Sequence, residues 1–200
     1  MGNKICINIL ACIMFVPFLA NIAHADSSEN ANGGTSKPYL FELSYYGETF
    51  FHPGLRFSVG RQVFGSARHA FVASLATAYY FHFQNSHNYF IDAGLDYYWN
   101  FDSGMFLNLG ISQGYIHTFA AGDVLEYRSG AVYETFDFGY GYYKPGANFG
   151  FGYDLSRLES VGKPMRVYFK AGAFGQYPLN QLLIYNIFAE VGVSYAYSFR

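Results

Sequence analysis

The chain has 200 residues, a formal net charge of −2, 22% aromatic residues and only 13% charged ones. Soluble domains usually carry about 25% charge, so a standard soluble surface is excluded, and the absence of a basic stripe excludes a nucleic-acid partner. Both cysteines, Cys6 and Cys12, lie within the first 25 residues. Once that segment is removed, no disulfide, thiol nucleophile or Cys-based metal site remains.

Residues 1–25 read as a secretory signal. Lys4 is its only charge, an apolar stretch runs from Ile5 to Leu19, and Ala23-His24-Ala25 is a small-x-small cleavage site. Residues 26–38 begin DSSENANGGTSK and read as a flexible periplasmic tail. Residues 39–200 form the domain. No segment in it reaches the roughly 18 continuous apolar residues a spanning helix needs.

Its pattern has period two. In Tyr89-Phe90-Ile91-Asp92-Ala93-Gly94-Leu95-Asp96-Tyr97-Tyr98-Trp99 every odd position is apolar or aromatic. That face carries aromatics at both ends and aliphatics between them, as a strand facing a bilayer does. Eight such strands are predicted, over approximately 39–47, 55–64, 70–83, 88–100, 104–117, 146–155, 165–176 and 186–199. Strand five sets Met105, Leu107, Leu109 and Ile111 against Phe106, Asn108, Gly110 and Ser112. The last strand sets Ile187, Ala189, Val191, Val193, Tyr195, Tyr197 and Phe199 against Glu190, Gly192, Ser194, Ala196 and Ser198.

An even strand number puts both termini on the periplasmic side, with even connections short and odd ones long. Gly65–His69 and Phe101–Gly104 are short and even, whereas Ser156–Pro164 is longer than this rule expects. The longest connection, 118–145, is odd. It contains Val124 to Glu134 around Ser129-Gly130, which reads as a hairpin above the membrane. Ten strands are disfavoured because Glu126, Arg128, Glu134 and Asp137 break up any lipid face.

Alternation alone does not say which face is inside. A soluble barrel would turn the aromatic face inward and show water a face of Gly, Ser and Ala. Soluble surfaces are about a quarter to a third Lys, Arg, Glu and Asp. Small residues instead suit the crowded interior of an eight-stranded barrel. The expectation is therefore an all-β, eight-stranded antiparallel up-and-down transmembrane barrel in the outer membrane of a Gram-negative-type bacterium, in contact with its lipids, including lipopolysaccharide.

Tyr195, Tyr197 and Phe199, followed by Arg200, resemble the C-terminal aromatic-x-aromatic signal read by the outer-membrane assembly machinery. Three further segments resemble a group of exported outer-membrane barrels of this size: Phe51-His52-Pro53-Gly54-Leu55, Phe101-Asp102-Ser103-Gly104 and Gln176-Tyr177-Pro178-Leu179-Asn180. The resemblance spans most of 39–199. It implies the barrel and its location and assigns no biochemical role.

The inward register collects Glu42, Arg56, His82, Asp92, Asp96, Asp154, Arg166, Lys170 and Glu190. Isolated buried charges are costly, so they are expected to pair as a structural polar network, with Asp154 and Arg166 together near the periplasmic rim. A proton or ion path is the rival reading. A lipid A hydrolase would need a serine beside a histidine. Ser86 with His87 and Ser112 with His117 are separated by odd numbers, which turns each pair to opposite faces. His52, His69, His82, His87 and His117 show no i, i+2 cluster with a carboxylate on one face, so no metal site and no cofactor are expected. Tyr140, Tyr142 and Tyr143 read as the wall of a long loop. The expected function is non-enzymatic, a structural or surface-interaction role through 118–145. A lipid A-modifying enzyme and a narrow transporter of small or apolar solutes are the alternatives.

Overall fold

The computed structural model describes residues 38–83, 85–128, 130–158, 164–179 and 182–197. The signal segment 1–25, all but the last residue of the tail, and Phe199 lie outside them. The described chain contains ten strands: β1 (Tyr39–Glu48), β2 (His52–Gly65), β3 (His69–His82), β4 (Ser86–Asn100), β5 (Met105–Ala120), β6 (Val124–Arg128), β7 (Ala131–Thr135), β8 (Tyr140–Asp154), β9 (Met165–Leu179) and β10 (Leu182–Tyr197). Eight of them close a barrel in the order β1-β10-β9-β8-β5-β4-β3-β2, and β6 and β7 pair only with each other.

All barrel neighbours are antiparallel, and the closing seam pairs Tyr39↔Tyr197 through Glu48↔Phe188. Period two is obeyed because one face of each strand meets the interior and the other does not. On β5, Met105, Leu109 and Ile111 are exposed, while Phe106, Asn108 and Gly110 are buried. On β10, Val191, Val193 and Tyr195 are exposed, while Gly192 and Ser194 are buried. Outward Ala73, Ala93 and Ala189 are buried too, being too short to emerge from between larger neighbours.

The upper end is the one bearing β6–β7. The interior is layered along the barrel axis. Tyr46, Ala78, Tyr80, Phe90, Ile116 and Phe174 form an apolar cluster toward the upper end. Ala70, Val72, Tyr98, Phe106 and Tyr168 form another toward the lower end. Glu42, Arg56, Asp92, Asp96, Lys170 and Glu190 lie between them, so the two clusters shield this polar layer from water at both mouths.

The strands are longer than their sequence pattern implies. A strand of 15 residues such as β4, β8 or β9 runs roughly 50 Å, or roughly 38 Å along the axis at a tilt of about 40°. An outer-membrane apolar band is about 25 Å tall, so the upper barrel stands above any such band. This shortens the upper connections. Only three residues link β1 to β2 and three link β3 to β4, so the expectation of long odd connections holds for β5 to β8 alone.

β2 begins at His52 rather than 55, and β8 at Tyr140 rather than 146. The predicted strands leave both Pro53 and Pro145 in connections. Each proline sits where its missing N–H is not needed by one neighbour. The β2–β3 ladder starts only at Gly54↔Tyr80, and the β8–β9 ladder passes from Tyr143↔Tyr177 to Gly146↔Phe174. At the lower end, Gly104 has φ +90 and closes the β4–β5 turn, a conformation costly for any residue with a side chain.

Candidate functional site

The polar layer is built from four strands on one side of the lumen and three on the other. β1 contributes Glu42 and Ser44, β2 Arg56 and Ser58, β4 Asp92 and Asp96, and β5 Asn108. Across from them, β8 contributes Lys144, β9 Tyr168 and Lys170, and β10 Glu190. Glu42 accepts from Ser58 Oγ at 2.8 Å and from Lys170 Nζ at 3.3 Å. Glu190 accepts from Ser44 Oγ at 2.7 Å and from the Tyr168 hydroxyl at 2.9 Å. Arg56 reaches Glu190 and Asp92, each at 3.4 Å, and Glu42 at 3.9 Å. Asp92 also accepts from Lys144 Nζ at 2.9 Å. Asp96 accepts from Asn108 Nδ2 at 3.0 Å.

Of the residues singled out in the sequence, Glu42, Arg56, Asp92, Asp96, Lys170 and Glu190 thus meet in mid-lumen. Asp154 and Arg166 meet at the lower rim at 3.3 Å, and His82 lies apart at the upper rim. Lys144 was missed, because the residue preceding Pro145 was read as loop. It is 3% exposed, and its ammonium also sits 4.0 Å from the centre of the Phe90 ring. Tyr140, Tyr142 and Tyr143 were misassigned with it. All three belong to β8, and Tyr142 packs on the upper apolar cluster.

The lumen is nearly solid. A cavity of about 20 Å³ lies between Arg56, Asp92, Asp96, Lys144, Lys170 and Glu190, room for about one water. A larger vestibule of about 280 Å³ opens at the lower end, lined by Leu40, Gln62, Asn100, Asp154 and Arg166, with Tyr98 also on its wall. A Cβ on Gly110 would come within 2.3 Å of Asp96 Oδ1 and 2.4 Å of Asn148 Nδ2. Glycine there leaves room for Asp96 and Asn148 to reach over β5 from its two neighbouring strands.

Neither serine–histidine pair forms. Ser112 lines the central cavity. His117 faces outward, where its Nδ1 bonds the Tyr115 hydroxyl at 2.7 Å and its Nε2 meets the Phe138 carbonyl at 2.9 Å. Ser86 accepts from Asn88, and His87 bonds the Tyr79 hydroxyl at 2.7 Å. His69 and Tyr97 make a third outward pair, also at 2.7 Å.

At the upper rim three strands deliver one cluster that the single-strand spacing hid. Oε2 of Glu48 lies 2.5 Å from Nδ1 of His52 and 3.0 Å from Nε2 of His82. The two imidazoles stack with centroids 3.6 Å apart. The i, i+2 spacing looks along one strand and does not see this cluster, which spans three strands. Glu48 was not singled out, and the two histidines are 30 residues apart in the chain.

The connection to β6–β7 is anchored by Asp137. Its carboxylate accepts from the backbone N–H of Ala120 at 2.5 Å and of Gly139 at 2.8 Å. Those two bonds hold its carboxyl below the usual value, which is about 4 for an aspartate. A lowered pKa means the anchoring is complete above the ordinary value and is lost as pH falls through the lowered one. Hydrogen exchange at the Ala120 and Gly139 amides should therefore stay slow from neutral pH down to about 4 and quicken only in stronger acid. Asp137→Asn should quicken both amides from neutral pH down to about 4 and match the parent in stronger acid.

A closed eight-stranded barrel, apolar outside and polar inside, defines a small β-barrel of the outer-membrane type. No protein-family model matches the sequence, and no curated protein matches it either. Solved structures similar to the chain include Neisserial surface protein A, at 11% identity and a TM-score of 0.46, covering 82% of this chain and 96% of that one. Another is the outer membrane enzyme PagL, at 9% identity and a TM-score of 0.48, covering 78% and 98%. A third is Ail, the attachment invasion locus protein of Yersinia pestis, at 8% identity and a TM-score of 0.39, covering 82% and 100%. At these identities the likeness is one of fold.

Proposed function

We propose that the protein is an integral barrel of a bacterial outer membrane, closed to solutes, which acts non-enzymatically by presenting the β6–β7 hairpin to partners outside the cell. One observation carries this reading. Leu125, Tyr127 and Val132 are 61%, 72% and 60% exposed on a hairpin that pairs with nothing else. The register sets Tyr127 opposite Val132 and Leu125 opposite Glu134, so these apolar side chains share one face. A lone two-stranded hairpin is marginally stable in water, and a surface of this kind gains by docking.

The outward rows on the barrel strands support the membrane location, and lipopolysaccharide would meet the Tyr–His pairs at the upper edge of that face. Tyr195 and Tyr197, both exposed at the lower end of β10, suit the assembly signal.

The test replaces residues 122–136 with a short Gly-Ser linker and leaves Asp137 in place. The variant should keep the heat-dependent gel mobility of a folded barrel. Retention of cells on arrays of immobilised proteins and glycans should fall at least about tenfold, the effect of losing about 1.4 kcal/mol. Unchanged retention would refute the hairpin's role. A lipid A mass spectrum altered by the intact chain would replace this reading with an enzyme, and stable conductance in a planar bilayer would replace it with a pore.

A further inference from the structure

We propose that Glu48, His52 and His82 form a binding site for a divalent transition-metal ion of the zinc type at the upper rim of the barrel. The donor set is the first argument. Two imidazoles and one carboxylate are a recurrent zinc ligand set. They suit zinc and its late first-row neighbours better than calcium, which takes six to eight oxygens.

Geometry is the second argument. One ligand atom from each residue lies within 4.8 Å of the others. Ligand atoms around a tetrahedral ion with bonds of about 2.0–2.1 Å are separated by roughly 3.3 Å. The required change is confined to three side chains: the two imidazoles, now stacked with their planes 18° apart, must tilt out of the stack so that each in-plane lone pair meets the ion. Oε2 of Glu48 now sits between the two ring nitrogens that it bonds, and it must draw back by about an ångström to admit the ion among the three atoms. Each neutral imidazole then turns a lone pair to the metal and carries its proton on the other nitrogen.

The third argument is that the backbone carrying Glu48 and His52 is already fixed. Glu48 and His52 face each other at the end of the β1–β2 ladder. The turn between them is tight, with Thr49 and Phe50 at φ 48 and 64. Thr49 ties it to β10 through a 2.8 Å bond from its N–H to the Ile187 carbonyl. The Thr49 hydroxyl donates to the other Glu48 oxygen at 2.7 Å, the kind of outer contact that orients a ligating carboxylate. Ordering costs on binding are thereby reduced.

Access is the fourth. The Glu48 side chain is 3% exposed, but those of His52 and His82 are 27% and 26% exposed. The metal would face outward, with its remaining position open to water or to a donor from an external partner. The site needs neither the hairpin nor the lumen, so it stands or falls separately from the proposed function.

The test is titration of Zn²⁺ into the full mature barrel folded in detergent micelles, with Co²⁺ as a spectroscopic stand-in. We expect saturable binding of one ion per barrel and the visible absorption of tetrahedral Co²⁺. Glu48→Gln, His52→Ala and His82→Ala should each weaken Zn²⁺ at least about tenfold, while His87→Ala leaves it unchanged. Gel mobility before and after heating verifies folding, and His52→Asn at the exposed edge serves if an alanine variant does not fold. Absence of saturable binding to the unsubstituted barrel, or binding unchanged by His52→Ala, would overturn the site.

Discussion

Replacing Arg56 with alanine should destabilise the barrel by about 3–5 kcal/mol, the cost of stranding a buried charge. Arg56 is the hub of the lumen. Its guanidinium lies 3.4 Å from both Glu190 and Asp92 and 3.9 Å from Glu42. The three carboxylates are not equally dependent on it. Asp92 retains Lys144 at 2.9 Å and Glu42 retains Lys170 at 3.3 Å. Glu190 is left with two hydroxyls, from Ser44 and Tyr168, and no cation within salt-bridge distance among the described residues. Most of the loss should therefore come from Glu190. A second substitution, Glu190→Gln, should recover a large part of it, and the double-mutant cycle should give a coupling of roughly 1–3 kcal/mol. Arg56→Lys should fall between, because an ammonium cannot fork to Glu190 and Asp92 together. Urea unfolding of the barrel in lipid vesicles measures all five proteins. Full stability in Arg56→Ala would mean that water screens the lumen, and the account of a dry polar layer would be wrong.

The parts of this architecture that were legible in the sequence are those written with period two. Residues 89–99 state both faces of β4 outright, and β5 and β10 do the same. A one-residue slip would put Asp92 and Asp96 on the outer face, so the inward register followed directly. What stayed hidden had two causes. The predicted strands stopped short of Pro53 and Pro145, although in a strand a proline forfeits only one N–H, and the ladders there can spare it. That error removed Lys144 from the lumen and made β8 six residues too short. The other cause is distance. Glu48, His52 and His82 meet only because β1, β2 and β3 end together at the upper rim, and no spacing within one strand encodes that. A scan of predicted strand ends at a common rim, rather than of neighbours along one strand, is the signal that would have found it.

Arginine in place of Ile111 should cost about 2–4 kcal/mol, whereas arginine in place of Leu125 should cost almost nothing. The comparison isolates solvent from exposure, because the two side chains are almost equally open, at 64% and 61%. Ile111 lies on the outward face of β5, paired with Leu95 on one side and Ala147 on the other. Along the same face, Met105, Leu107 and Leu109 lie below it, and Gln113, Tyr115 and His117 above. It thus occupies the middle of the outward row from 105 to 117, where a bilayer-facing charge is most costly and where a long side chain has farthest to reach toward either interface. Leu125 lies on the hairpin, outside the barrel. If the outer face met water, both substitutions would be surface changes within about 0.5 kcal/mol of neutral. If it meets lipid, only Ile111→Arg is penalised, and the penalty should shrink for the same change at Met105, near the lower edge. Reversible unfolding in phospholipid vesicles gives the three values. Equal, near-zero costs would turn the barrel into a soluble one with an unusually aromatic exterior. A depth-dependent cost confined to the barrel wall would place the bilayer midplane nearer Ile111 than Met105 on β5.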